Sequence, residues 1–331
     1  MKMTHRQRIE NALQLKETDR LPYSMWMHFP NRDRHPRRLA ELTLAYQKRF
    51  DLDFMKFMPF GMYSTIDYGI DLDVFPGFVD APVPHKPFIE KVEDWDKLRF
   101  VSGTEGEFAI VLEAQRLLFS MMNERVPFLQ TVFSPMTTAA KLATPKSLAE
   151  HIKQDPYRVH RALESITQTT IQFAKATVDL GADGLFYASQ FSTSDLIDLP
   201  THDTFVRKYD MEILKAVKDS TWFNVMHLHG PNTFIRELQD YPVHAFSWHD
   251  RDDGPSMSEV RKFSSKAFLG GLSWGKNWLN KKEDEVVKEV QEVAAYNGGK
   301  GVILGPGCVI NPATPETHLE LVHKTVLTTA K

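Results

Sequence analysis

A (β/α)8 TIM barrel is the fold this sequence predicts, on three observations. Eight short apolar runs alternate with amphipathic stretches along the chain, a pattern that implies parallel strands and right-handed crossovers. The length, 331 residues, suits eight such units with insertions. A doubly wound open sheet would call for a Gly-x-Gly-x-x-Gly after its first strand, and none is present. The expectation is one domain over 1–331, with an N-terminal helical extension and a long loop insertion after the second strand.

The elements follow in order. Thr4 is placed as the N-cap of an opening helix over 5–16, with Ile9, Ala12 and Leu13 on one side. Leu21 to Met27 reads as the first strand. Leu39, Leu42 and Tyr46 fall at helical spacing within 37–49, and Phe54 to Phe57 is the second strand. The stretch from Met58 to about Ser102 is irregular and holds Pro59, Pro76, Pro82, Pro84 and Pro87; loops of that length are often functional. From Glu105 the rhythm is regular. Strands are expected at 126–133, 184–188, 223–227, 245–248, 267–270 and 301–304. Helices are expected at 105–123, 137–143, 156–180, 202–219, 232–239, 256–264, 281–297 and 315–329. Gly298-Gly299 supplies a C-terminal stop for the helix over 281–297.

Composition narrows the function. The chain is 42% hydrophobic and 25% charged, which supports a sizeable core. A net charge of −3 argues against a nucleic-acid platform. One cysteine forms no internal disulfide and suits a reducing compartment. No signal-peptide core and no membrane-length apolar run are visible, so a cytoplasmic, globular protein acting on a small molecule is expected.

Barrel enzymes carry their chemistry at the C-terminal ends of the strands. At those positions stand His28, Gln190, Ser192, His227, His229, His249, Asp250, Gly270-Gly271 and Gly305-Pro306-Gly307-Cys308. Residues i and i+2 of a strand share a face, so His227 and His229 can point together into the mouth. With Cys308 they supply three zinc-competent donors and leave a fourth position open. The bland alternative is a satisfied core histidine and a small buried thiol. The glycine pairs suit a phosphate cradle assisted by Lys276, or simply tight turns. Trp248-His249-Asp250 offers a histidine beside a carboxylate for acid–base work; Ser256-x-x-Glu259 beyond it fits a capping box. Arg32, Arg34, Arg37 and Arg38 form either an anion site or the exposed start of a helix.

Several segments together resemble the uroporphyrinogen decarboxylase superfamily over nearly the whole length. They are Asp19-Arg20-Leu21-Pro22, Phe50-Asp51-Leu52-Asp53, Phe133-Ser134-Pro135-Met136-Thr137, Gly270-Gly271-Leu272, and Leu304-Gly305-Pro306-Gly307-Cys308 with Pro312-Ala313-Thr314-Pro315. The resemblance implies a (β/α)8 barrel and, in some members, a homodimer. It holds two chemistries. The decarboxylases use an arginine-rich Arg-Gln-Ala-Gly-Arg segment, where this chain reads His28-Phe29-Pro30-Asn31-Arg32, so only Arg32 matches. They use an aspartate where Phe60 stands here, and a Gly-His-Gly where this chain has Gly305-Pro306-Gly307. A porphyrinogen with many carboxylates needs paired guanidinium groups, which this chain lacks in register.

The other branch resembles corrinoid-dependent methyltransferases, which bind zinc through His-x-Cys and a later Cys. His227 and Cys308 match that pattern, and His229 stands in the place of the first cysteine. The swap implies a His2Cys site, whose metal is more positive and whose bound thiolate is less nucleophilic. The resemblance therefore implies a zinc-dependent methyltransferase-like enzyme: metal on His227, His229 and Cys308; His28, Gln190, His249 and Asp250 as catalytic groups; Arg32, Ser192 and Gly271 at the substrate; and a corrinoid on a partner protein as donor. Two alternatives stand beside it. One is a metal-free decarboxylase of uroporphyrinogen or a related acid, with Arg32, Arg34 and Arg37 as anion contacts. The other is a non-catalytic barrel that binds a corrinoid protein or a tetrapyrrole.

Overall fold

The computed structural model describes residues 2–73 and 82–330. Among the described residues, seven parallel strands form one curled sheet: β1 (Met55–Phe57), β2 (Phe128–Phe133), β3 (Gly184–Ser189), β4 (Val225–Leu228), β5 (Ala245–Ser247), β6 (Ala267–Leu272) and β7 (Val302–Pro306). Their spatial order equals their chain order, and each pairing is parallel, as in Ala188↔His227 and His227↔Ser247. The strands are short and buried on both faces, which is why they read as apolar runs rather than as alternation.

Side chains still alternate between two cores. Leu129, Phe186, Val225, Ala245, Ala267, Leu269 and Ile303 point into the curl and meet Ile9, Ala12, Trp26 and Phe54. Phe57, Phe128, Leu185, Tyr187, Met226, Phe246, Phe268 and Val302 point out against the helices. This period of two assigns the polar strand residues. Lys56 lies between the outward Met55 and Phe57, and His227 two residues after the inward Val225, so both face the interior. Ser189 lies two residues after the outward Tyr187 and faces the helices, where it donates to Asp210 (3.1 Å).

The opening helix, His5–Leu13, is closed by the expected Thr4 cap, which forms a full capping box with Gln7. Ile9 and Ala12 of this helix are fully buried and join the inner core beside Phe223 at the start of β4. The predicted long loop follows β1 and contains short helices at Tyr63–Ile66 and Val92–Lys97; its Pro76 lies outside the described residues.

Three expectations need correction. The run 21–27 is not a strand. It makes bridges at Tyr23↔Leu304 and Met27↔Ile310, and Tyr23 O accepts from Asp53 N (2.9 Å). The segment thus lies between β7 and β1, with too few ladder bonds to count as a strand. The stretch 232–239 is a chain of turns rather than a helix, entered through Asn232 at φ 52 and tied to the 190s loop by the Thr193↔Thr233 bridge. The helix expected at 202–219 forms but starts earlier and is not uniform: Leu199–His202, a π-turn at Asp203–Arg207, Lys208–Val217 and a tighter last turn at Lys218–Ser220 follow without a break.

Candidate metal centre and substrate cavity

The inner face and the loops beyond it bring four donors together. One ligand atom from each of His227, His229, His249 and Cys308 lies within 4.8 Å of the others. His227 lies in β4, one residue before its end, His229 follows the strand, His249 follows β5, and Cys308 follows β7. The two glycines before Cys308 allow close approach: a Cβ on Gly305 would meet Trp26 Cη2 at 3.0 Å, and one on Gly307 would meet His249 Cα at 3.3 Å.

The hydrogen bonds of the rings leave donor atoms free. His227 Nδ1 faces Ser247 Oγ (3.2 Å). His249 Nδ1 pairs with Asp253 Oδ2 (2.5 Å), while its Nε2 is buried without a hydrogen-bond partner. A histidine backed by a carboxylate, with its other nitrogen unclaimed, is the arrangement of metal ligands. His229 Nδ1 lies 3.8 Å from Cys308 Sγ. Burial, then the neighbouring imidazoles, holds His229 down to about 4 and His227 well below the usual range. Burial also lowers His249, although Asp253 opposes it. The rings are therefore neutral near pH 7. Burial pushes the Cys308 thiol up, and Lys56 and Lys141 pull it back.

Beside the cluster lies a cavity of about 380 Å³. His28, Gln190, His227 and Cys308 line it, as do Lys56 and Lys141. Trp26, Met58, Phe60, Phe133, Phe186 and Trp274 give it apolar walls. His28 Nδ1 pairs with Asp33 Oδ2 (3.2 Å), and Trp274 packs against His249 with ring centroids 4.5 Å apart.

Other candidates do not reach the cavity. Asp250 is turned away from the cavity as an acceptor for Gly271 N (2.9 Å), and burial raises its pKa to about 6. Gly271 sits at φ +95 against Val293. Its N–H is spent on Asp250, and that of Gly307 on Leu272 O (2.9 Å), so neither glycine pair presents a free cradle to a phosphate. The Lys276 side chain lies outside the described residues. Ser192 is buried and bonded to Ser189 Oγ (2.9 Å) and His202 Nε2 (2.9 Å). Arg32 is exposed, Arg34 pairs with Glu107 (2.9 Å) and Arg38 with Glu41 (3.1 Å); none of Arg32, Arg34, Arg37 or Arg38 lines the cavity. The anion contacts required by the decarboxylase alternative are thus missing from it. Beyond His249, the capping box of Ser256 and Glu259 is formed.

Sequence reasoning missed Lys56 and Lys141. Each left a signal. Lys56 is the one charge in Phe54-Met55-Lys56-Phe57-Met58, and Lys141 the one charge in the helix Pro135–Leu142. Lys56 is 7% exposed; burial lowers its pKa to about 7, and that of Lys141 to about 8.

A sequence profile described as uroporphyrinogen decarboxylase (URO-D) matches residues 4–328. Among individual proteins, the methylcobamide:CoM methyltransferase MtbA of Methanosarcina acetivorans is 24% identical over 245 residues, covering 71% of this chain and 68% of the relative. A uroporphyrinogen decarboxylase of Streptomyces avermitilis is 30% identical over 156 residues, covering 45% of this chain and 42% of the relative. Among solved structures, a methyltransferase from Methanosarcina mazei superimposes with a TM-score of 0.83 at 20% identity, covering 99% of both chains.

Proposed function

The chain belongs to the uroporphyrinogen decarboxylase (URO-D) family, and from that premise we propose that it is a zinc-dependent methyltransferase, moving a methyl group between a corrinoid on a partner protein and a small thiol. One observation carries the reading: three imidazoles and a thiol converge within 4.8 Å, and His249 Nε2 is buried there without a partner. Nitrogen and sulfur donors fit zinc, and the depressed histidines are already neutral, as ligands must be. The similarity to a methylcobamide:CoM methyltransferase supports the same direction.

His227, His229 and Cys308 would hold the ion and leave a position for the substrate thiol, with His249 as an alternative nitrogen donor beside them. When bound, zinc supplies the Lewis acidity that favours a deprotonated thiol near neutral pH. The chain supplies orientation and shelter. Asp253 fixes the His249 ring, Ser247 fixes His227, and Trp274 covers His229 and His249 against water. His28, backed by Asp33, stands in the cavity wall as a proton acceptor, and Gln190 as a hydrogen-bonding group. A cavity of about 380 Å³ holds a small molecule and not a macrocycle, so the corrinoid stays on its carrier and meets the substrate at the mouth. The same reading takes 21–27 as the eighth stave of a closed barrel, carrying Trp26 and His28 to that mouth.

The test is metal analysis of protein purified without added metal, combined with methyl transfer from methylcobalamin to a thiol. Stoichiometric zinc is expected, lost in Cys308→Ala together with transfer. Absence of metal from every preparation overturns the proposal.

A further inference from the structure

We propose that the cavity takes a small monoanionic acid with an apolar, ring-sized body, its acid group received by the ammonium groups of Lys56 and Lys141. This deepens the function above and rests on its reading of the cavity as the substrate site.

The inference begins with charge. Lys56 and Lys141 come from different elements, β1 and the helix after β2, and line the same cavity. No carboxylate acts on either among the described residues. The one carboxylate in the lining, Asp33, is engaged by His28. Lys56 has the Met58 sulfur as its hydrogen-bond acceptor. Lys141 has Gly61 O at 3.2 Å and Met62 Sδ at 3.9 Å. An ammonium carries three donors, and thioether sulfur is a poor acceptor, so most of this donor capacity is open toward the cavity.

Aromatic faces supply part of the missing solvation. Lys56 Nζ lies 4.4 Å from the Phe186 ring centroid and 5.4 Å from that of Trp26, and Lys141 Nζ lies 4.5 Å from that of Phe133. Such contacts offset only a fraction of the cost of burying a cation. The other titratable group acting on both lysines is Cys308, and burial holds it toward the neutral thiol. The ligand is then the remaining source of negative charge.

The walls set the body of the ligand. Trp26, Phe60, Phe133, Phe186 and Trp274 face a volume of about 380 Å³, more than a two- or three-carbon acid fills. Aromatic walls around two ammonium donors select an apolar body with one fixed acid group.

The test uses the full chain and compares benzoate and benzenesulfonate with the neutral benzamide by isothermal titration calorimetry. The acids are expected to bind about tenfold or more tighter than the amide, the worth of hydrogen bonds to charged donors. Lys56→Met and Lys141→Met are each expected to remove the preference, with melting temperature measured alongside to establish folding. The wild-type ratio stands as a test if a variant fails to fold. Equal binding of acid and amide, or no binding of either, overturns the inference even where the protein holds zinc. Conversely, lysine-dependent acid binding by a protein that never holds metal sustains this inference and overturns the methyltransferase reading.

Discussion

The two ends of the sheet treat charge in opposite ways. At the end where the strands begin, Asp53 is fully buried yet accepts from Arg20 Nη1 (2.6 Å), Tyr23 N (2.9 Å), His5 Nδ1 (3.0 Å) and Arg8. Arg8 also meets Asp19 at 2.7 Å. Each buried charge there has an opposite neighbour. At the end where the strands finish, among the described residues, no carboxylate acts on Lys56 or Lys141 and His249 Nε2 has no partner. Burial costs both groups alike; one end offsets it internally, and the other leaves it for something the chain does not contain. Saturated charge marks architecture, and unsaturated charge marks a binding site.

The comparison is sharpest where the base is broken. Asp53→Asn should cost about 3–5 kcal/mol, because two guanidinium groups lose their buried counter-charge; urea denaturation reads it, and a loss under about 1 kcal/mol would remove the base as a structural keystone. Burial alone would raise the Asp53 pKa, but His5, Arg20 and Arg8 hold it below the usual range. Its contribution is therefore present above the unfolded carboxylate pKa of about 4 and lost as pH falls through the folded value.

At the mouth the order reverses, with a large effect on ligand and a small one on stability. Cys308→Ala should weaken zinc binding by about 100-fold or more, read by competition with a chelator, while metal-free stability moves by less than about 1 kcal/mol. Asp253→Asn, which leaves the four donors in place, should weaken it by about 10- to 100-fold. Zinc binding equal to wild type in that variant would show that the His249–Asp253 pair is structural.

The effect that is smallest per step is a slope, at most about 1.4 kcal/mol for each pH unit. Burial depresses Lys56 to about 7, so the unfolded chain binds one more proton than the folded chain from about pH 7 up to the unfolded lysine value near 10.4. Stability rises with pH through that window, and Lys56→Met should lose this component. Parallel wild-type and variant slopes in pH-dependent denaturation would place the Lys56 ammonium in water.

Most of the strand rhythm was legible, because strands buried on both faces leave continuous apolar runs. The run 21–27 carries the same signal as β2 or β6 but finds only two bridging partners, and hydropathy does not encode ladder bonds. The stretch 232–239 has helical spacing but begins at Pro231-Asn232, where the backbone turns left-handed. In the site, the His227–His229 spacing and the approach of Cys308 were readable from strand periodicity and glycines. The position of His249 as a fourth donor was not, since it depends on the curl that carries β5 beside β4. Strand ends indicate depth but not direction: Ser192 and Asp250 sit at the right level and turn toward the helices and Gly271. Lys56 and Lys141 were discoverable as lone charges in apolar surroundings, a signal that motif spacing passes over.

The segment 21–27 has one further consequence. It holds Trp26, and His28 just beyond it, in the cavity wall, yet its bridges are one to β7 at Tyr23↔Leu304 and one beyond β7 at Met27↔Ile310. Elsewhere neighbouring strands share runs of three to five paired residues. Breathing of a protein begins where the fewest backbone bonds must break. The molecule therefore has a zipper rather than a weld along this line, and its amide hydrogens there should exchange ahead of those in β2 to β6.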